Sequence, residues 1–413
     1  MAYFSRIALV DWRQFASIEI DLSKQVTILT GPNGSGKTTI LNILSKHFGW
    51  NLSFVSTPYL GLKQARKLWS DVKRAREEEL LDAAAASEAQ SVGYITYDDG
   101  RKCILATTKT TKPQYRLAYA NEQSVVGLHI PSHRPPATYQ AVGEIPTNPT
   151  SIQQHYQDFQ QLLFQTYGGA RQSNKQQNPS YAQKRSLIAL ALFGYGNKAV
   201  ASNVEYQQIF ESFQEVLRLI LPKEIGFERL EVRMPEVVLV TRSGEFAIDS
   251  MSGGINAMFG IAWQIHMYGA GKSECTVTID EPENHLHPSM QRSFLPSLAA
   301  AFPRFKFIVA THSPFVVSSH RSSSVYGLTF SENHQVISSQ LTEDEFAGTP
   351  NRILREILDV PSNLPIWVED EIRKIFENAS GDNPHALGER VLAELRRLGV
   401  VDAASDLNLE DGQ

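Results

Sequence analysis

The chain is poor in the features that mark secreted, membrane-spanning and nucleic-acid-coating proteins. Two cysteines in 413 residues cannot build a disulfide framework, which points to a reducing compartment. The longest apolar run, Leu187 to Phe193, falls far short of the ~20 residues of a membrane span. The opening Met1-Ala2-Tyr3-Phe4-Ser5-Arg6 leads into a short alternating strand. It is not a charged start followed by an apolar core, so no signal peptide is read. A dominant charge is also missing: 39 Lys and Arg stand against 44 Asp and Glu, a net of −5. That excludes a wholesale basic coat for nucleic acid, though not a local basic groove. No internal repeat or long heptad run is visible. The expectation is a cytoplasmic protein with no membrane contact.

What is present suffices for a packed core. Hydrophobic residues make up 42% and charged residues 20%, close to the globular average. The length, set against the ~150 residues of a typical domain, predicts two or three structural units. The mild net charge conceals a split. Residues 342–413 hold 16 acids and 7 bases, a net of −9, which leaves 32 bases and 28 acids, a net of +4, on the rest. The break near residue 341 is the expected boundary of an acidic C-terminal segment.

Apolar patterning predicts strands at 6–10, 17–22 and 26–29 and a helix from Lys37. Spacing at Leu62, Ala65, Leu68, Trp69 and Val72 predicts a helix over 62–90. Residues 92–131 read as strands, with an Asp98-Asp99-Gly100 hairpin turn. The proline-rich 132–150 cannot be a continuous helix. Residues 151–222 read as a helical lobe interrupted at 168–180. Short strands follow at 227–234, 236–241 and 245–248. A helix at 254–268, a buried strand at 275–279, a helix at 288–301, a buried strand at 305–310 and a hairpin at 325–338 complete the body. Residues 351–398 read as helical with loops.

Four motifs carry chemistry. Gly31-Pro32-Asn33-Gly34-Ser35-Gly36-Lys37-Thr38-Thr39 fits the G-x-x-x-x-G-K-[ST] phosphate loop between a strand and a helix. Its glycines let successive N–H groups face phosphate, and the helix start adds its positive end. In such loops the lysine, here Lys37, reaches the β- and γ-phosphates, and the hydroxyl, here Thr38, takes one Mg²⁺ position. The second motif is Asp280-Glu281 at the end of an apolar strand. By itself it could equally be a solvated turn. After a phosphate loop, Asp280 suits Mg²⁺ held through water and Glu281 suits activation of an attacking water. The third is His312 in Ala310-Thr311-His312-Ser313-Pro314, at the strand edge where open α/β sheets bind ligands. The fourth is Ser252-Gly253-Gly254 before a helix, a second anion-binding device. Alone it reads as an ordinary turn.

In chain order, the loop at 31–39, Met251-Ser252-Gly253-Gly254, Asp280-Glu281 and His312 resemble the ATP-binding-cassette class of P-loop ATPases. Within the class, Asp280-Glu281-Pro282-Glu283-Asn284-His285-Leu286-His287-Pro288 is similar to the D-E-P-E-x-x-L-H-P of bacterial AAA-type ATPases of the RecF-, SMC- and OLD-like group. Asp11-Trp12-Arg13-Gln14-Phe15 resembles that group's N-terminal segment. The resemblance covers about residues 1–330. It implies a two-lobed α/β fold: a mixed central sheet, an antiparallel β layer, a helical lobe and a helical C-terminal segment. The implied divisions are 1–150 and 223–340 for the ATPase lobe, 151–222 for the helical lobe and 341–413 for the acidic segment. It further implies ATP bound by Asn33, Gly34, Ser35, Gly36, Lys37, Thr38 and Thr39, and Mg²⁺ held by Thr38 and Asp280. Glu281 would be the general base, His312 the γ-phosphate sensor and Lys37 the phosphate-holding cation. Ser252, Gly253 and Gly254 would engage the ATP of an opposite protomer in a homodimer or a higher even oligomer, and Arg13 would lie toward the nucleotide.

The sequence departs from the transporter form of the class: Met251 and Ile255 flank Ser252-Gly253-Gly254. The lobe-linking Gln has no obvious counterpart, and Gln140 or the Ser132–Arg134 stretch stands in its place. The helical stretch 151–222 is too short for a long coiled-coil arm. Val368-Glu369-Asp370-Glu371 faintly resembles the start of a TOPRIM nuclease domain. However, no Asp-x-Asp pair follows it, so these acids read as a solvated helix start. Two acid-free stretches are candidates for DNA or RNA: Arg101, Lys102, Lys109, Lys112 and Arg116, and then Arg171, Lys175, Lys184, Arg185 and Lys198. Solvated faces explain them equally well.

The function implied is an Mg²⁺-dependent ATPase whose dimer switch regulates a separate effector in bacterial antiphage defence or DNA repair. A non-catalytic nucleotide-sensing module and a transporter ATPase subunit are the alternatives.

Overall fold

The computed structural model describes residues 2–56, 58–60, 67–69, 89–108, 113–134, 138–145, 150–167, 178–360, 364–377 and 384–398. They fall into two compact units, Met1–Glu343 and Asp344–Gln413.

The first unit is organised by one eleven-stranded mixed sheet. Its parallel half contains β3 (Val26–Thr30), β11 (Gly127–Ile130), β15 (Cys275–Asp280), β16 (Phe305–Ala310) and β17 (Ser324–Phe330). These lie in the order β17-β3-β16-β15-β11, with every neighbouring pair parallel. β3 and β15 are buried at every position, as expected for parallel strands covered on both faces, and so they read as unbroken apolar runs. The antiparallel half contains β1 (Phe4–Trp12), β2 (Phe15–Asp21), β7 (Ala89–Tyr97), β8 (Lys102–Thr108) and β10 (Ala118–Ala120). β18 (Val336–Leu341) joins the halves: it pairs antiparallel with β17 and parallel with β2. The antiparallel layer is thus continuous with the central sheet. β2 alternates buried and exposed residues from Ser17 to Ile20, because one face covers the core and the other meets solvent, whereas β1 buries Ile7, Ala8 and Leu9 in succession. Two short antiparallel pairs stand apart from this sheet: β4 (Phe54–Val55) with β9 (Gln114–Tyr115), and β5 (Pro58–Leu60) with β6 (Lys67–Trp69).

Helix α1 (Lys37–Ser45) buries Ile40, Leu41, Ile43 and Leu44 against residues such as Leu9, Phe15 and Leu105 in a single core cluster. The helical lobe holds α2 (Ile152–Tyr167), α3 (Pro179–Tyr195) and α4 (Val204–Ile220), each 16 or 17 residues long. Asn178 and Asn203 cap α3 and α4 by accepting the N–H of Tyr181 and Tyr206. These two caps mark the helix starts in sequence. α5 (Gly253–Gly269) packs against α2 and α4, and α6 (Pro288–Ala301) against α4. A three-stranded antiparallel sheet, β12 (Phe227–Arg233), β13 (Glu236–Thr241) and β14 (Gly244–Ala247), leads into α5.

One expectation fails. Residues 67–69 form the strand β6, paired with β5, and 89–90 belong to β7, so neither piece of 62–90 is helical. The rest of that span lies outside the described residues. Leu68 and Trp69 suit a strand as well as a helix, and periodicity cannot separate the two over so short a run.

In the second unit, helices 366–377 and 384–397 share a small core of Val368, Ile372, Val391 and Leu395. Among the described residues no helix is long and apolar enough to cross a membrane.

Phe307 is fully buried in β16, and that strand has parallel partners on both sides. Phe307→Ala is expected to cost about 3–5 kcal/mol, read as a lower urea midpoint for unfolding of the Met1–Glu343 unit.

Candidate functional site

The segment after β3 is shaped by glycines that no other residue could replace. At Gly31, φ is +141° and a Cβ would fall 2.2 Å from the backbone oxygen of Leu328. At Gly36, φ is +93° and a Cβ would fall 2.4 Å from the Phe15 ring. The loop therefore lies pressed between β17 and the turn joining β1 to β2. From that turn Gln14 also donates to the Gly34 carbonyl at 3.4 Å. Arg13, expected near a nucleotide, has its guanidinium over the rings of Trp12 and Phe54. Lys37 is buried, and its ammonium donates to the carbonyls of Gly31 at 2.8 Å and Pro32 at 3.0 Å. Burial pushes Lys37 down to about 8, although Asp280, Glu281 and Glu283 pull the other way.

The strand register delivers the other groups to the same edge. Asp280 ends β15 opposite Ala310 of β16, and Ala310 lies opposite Leu29 of β3. The Thr38 hydroxyl donates to the Asp280 carboxylate at 2.9 and 3.2 Å. Burial raises Asp280 to about 6; the Thr38 bond opposes this, while Glu281 and Glu283 add to it. The chain turns sharply at Glu281, where φ is +49° and the N–H donates to the Ala310 carbonyl at 2.8 Å. Asn284 donates to one Glu281 carboxylate oxygen at 2.8 Å, and the other lies 4.0 Å from Nε2 of His312. Burial, then the Lys37 charge, hold the His312 ring below the usual imidazole range, against the pull of Glu281 and the Gly31 backbone. It is thus mainly neutral at pH 7. Glu283 accepts from the Thr311 hydroxyl and the His312 N–H, both at 2.8 Å, and so ties the two strand-end loops together.

Lys37, Thr38, Asp280, Glu281 and His312 are thereby brought together. Ser252 and Gly253 are not: they are exposed at the start of α5, where Gly253 and Gly254 have His285 and Met290 as neighbours. The Leu286-His287-Pro288 run has a structural explanation. Leu286 is buried, His287 caps α6 by accepting from the N–H of Ser289, and Pro288 takes the first helical turn.

Sequence reasoning leaves open what replaces the lobe-linking Gln. Arg134 donates to the carbonyl of Glu281 at 3.0 Å and to those of Asp280, Asn284 and Pro131 at 3.4 Å. Asn284 also donates to the Ser132 carbonyl at 3.3 Å. Gln140 instead accepts from the N–H of Asn178 at the start of α3. The bracing roles of Arg134, Asn284, Gln14 and Phe15 are not legible in the sequence. Each acts on a backbone or carboxylate brought near by the fold.

Three residues of the basic stretches are ion-paired within the chain. Lys184 is held by Glu236 and Asp249, Arg185 by Asp158 and Arg101 by Asp99. Lys109, Lys112, Arg171 and Lys175 lie outside the described residues. No group of three or more His, Cys, Asp or Glu able to hold a metal occurs among the described residues. The Thr38–Asp280 pair nonetheless suits Mg²⁺, which takes one or two protein oxygens and completes its shell with water and phosphate.

Gly31→Ala is expected to destabilise the protein by more than about 1 kcal/mol, since alanine is incompatible with both the backbone and the space there. A thermal melt that matches the wild type would contradict this.

Comparison with known proteins agrees with this geometry. A family model described as "AAA domain" matches residues 6–193, and one described as "AAA domain, putative AbiEii toxin, Type IV TA system" matches residues 181–318. A retron Ec83 probable ATPase from Escherichia coli is 44% identical over 12% of this chain and 9% of its own length. The Septu protein PtuA of Bacillus thuringiensis is 23% identical over 36% of this chain and 42% of its own. The chain thus spans less than half of either curated relative. The SMC head domain from Thermotoga maritima aligns over 82% of this chain and 99% of its own, at 18% identity and a TM-score of 0.40. With a phosphate loop, a strand-end acidic pair and two AAA-domain matches that together run from residue 6 to 318, the chain carries an AAA-type P-loop domain.

Proposed function

We propose that the chain binds ATP at residues 33–39 and hydrolyses it with Mg²⁺, acting as a switch in which two copies enclose the nucleotide. The observation that carries this reading is the convergence of Lys37, Thr38, Asp280, Glu281 and His312 at the C-terminal ends of three adjacent parallel strands. In this reading the N–H groups of Asn33 to Thr39 and the start of α1 cradle the phosphates. Lys37 exchanges its loop carbonyls for the β- and γ-phosphate oxygens. Thr38 and Asp280 hold Mg²⁺, which when bound neutralises phosphate charge. Glu281 takes the proton of the attacking water, and its bond from Asn284 fixes which carboxylate oxygen is free to do so. His312, neutral and 4.0 Å from Glu281, hydrogen-bonds the γ-phosphate.

Ser252, Gly253 and Gly254 stand at the N-terminus of a 17-residue helix, the first two of them exposed, so the segment is available to the nucleotide of a second copy. The proposed output is control of a separate effector protein in bacterial defence. The retron and Septu relatives support that context.

Glu281→Gln is expected to lower the turnover rate by roughly 10²–10⁴-fold while ATP binding persists and an ATP-bound dimer accumulates. Phosphate release and light scattering with Mg-ATP read both effects. Turnover at the wild-type rate by a monomer would overturn the reading. If ATP binding persists but the wild type itself releases no phosphate, the chain is a nucleotide-sensing module instead.

Lys37, at about 8 in the free protein, is charged below that pH and neutral above it. ATP affinity is therefore expected to be level below about pH 8 and to fall by up to about tenfold per pH unit above it. A fluorescent-ATP titration between about pH 7 and 9.5 checks this. A level profile throughout contradicts the assignment of Lys37.

A further inference from the structure

Lys184 is an anomaly of the helical lobe. It lies on α3 with no solvent exposure, yet it carries a charge and takes no part in the site described above. Its ammonium donates to Glu236 at 2.8 Å and to Asp249, and the exposed ring of Tyr139 covers it at 5.0 Å. Burial works against its charge, but the hydrogen bonds to Asp249 and Glu236 prevail and raise its pKa, so Lys184 is an ammonium at neutral pH. A buried ion cluster of this kind contributes little net stability compared with apolar packing, and the best-attested use of such clusters is to specify one arrangement among several.

What the cluster arranges can be read from its members. Glu236 opens β13. Asp249 lies in the short 3₁₀ turn Ile248–Ser250, just ahead of Ser252, and α5 begins at Gly253. In that approach Ile248 is buried, whereas Ser250, Ser252 and Gly253 are exposed. Ser252 makes no side-chain capping bond to its own helix. The Asp249–Lys184 ion pair is thus the polar tether that ties the approach segment to α3. At the start of α3, the backbone N–H of Asn178 donates to Gln140 and its side chain bonds Thr138.

We propose that Lys184 is a positioning residue for the half-site in trans: through Asp249 it sets the direction in which Ser252, Gly253 and Gly254 face the nucleotide of a second copy. This rests on the dimer-switch reading above. Lys184 touches no nucleotide itself.

The test uses the full-length chain in the Glu281→Gln background, with two measurements: affinity for a fluorescent ATP analogue at protein concentrations that keep the chain monomeric, and the ATP-dependent dimer dissociation constant by sedimentation. Lys184→Met is the direct variant. Because it leaves two carboxylates buried without their cation, Asp249→Asn accompanies it; there Lys184 keeps Glu236 as a counter-charge and the buried shape is retained. The expected result for Asp249→Asn is unchanged monomer affinity with dimerisation weakened on the order of tenfold, the scale of such couplings. Unchanged dimerisation overturns the proposal. So does an equal loss of nucleotide affinity and dimerisation, which a merely structural role would produce. If Glu281→Gln alone forms no dimer with ATP, the dimer-switch reading fails first and this proposal falls with it, a result distinguishable from the other two.

Discussion

The hydrogen bond from Thr38 to Asp280 is the contact on which the rest of the site depends. It joins residues 242 positions apart, and it exists only because β16 lies between β3 and β15 in a parallel register that levels their C-terminal ends. A shift of one residue in either pairing would turn Asp280 to the other face of the sheet. Everything else is arranged around that level edge. Lys37 fills the loop from within, Glu283 ties the Asp280 loop to the His312 loop, and Arg134 gathers the carbonyls of the acidic turn. Buried charges are costly unless they are paired and hydrogen-bonded. Before any ligand arrives the site meets that condition only in part: Lys37 and Asp280 are held by neutral hydrogen-bond partners, and one buried oxygen of Glu283 has none.

Much of this is legible in the residues. The phosphate loop can be read because its glycines meet a steric demand that leaves a fixed spacing. The buried parallel strands can be read because both of their faces are covered, which turns alternation into an apolar run. The strands at 227–233, 236–241 and 275–280 and the helix at 288–301 fall close to where patterning places them. The stretch 62–90 misleads where it is described, because Leu68 and Trp69 satisfy two periodicities at once and the partner strand at 58–60 lends no signal of its own.

Polar bracing is the least legible part. Asn284, Arg134 and Gln14 act on backbone atoms or on carboxylates brought near by topology, and no local spacing announces such a bond. The acid-free basic stretches show the converse. Lys184 and Arg185 read as free positive charge in one dimension, yet their counter-ions come from Glu236, Asp249 and Asp158, which lie outside the acid-free window. Charge patterning along a chain reports on a partner surface only when the fold leaves that charge unpaired.

The position of β3 inside the sheet has a consequence for biosynthesis. Its loop is made long before either neighbouring strand, since β16 and β17 both begin after residue 304. Pairing across so long a separation is slow to form and must wait for the later strands to be synthesised. A growing chain thus carries its phosphate loop for much of its synthesis without the walls that shape it. Gly31 has no Leu328 to lie against, and Thr38 has no carboxylate to bond. The finished site is a late product of an early sequence. A prematurely ended chain cannot assemble it, so a polypeptide able to form this pocket has been made at least as far as the end of β17.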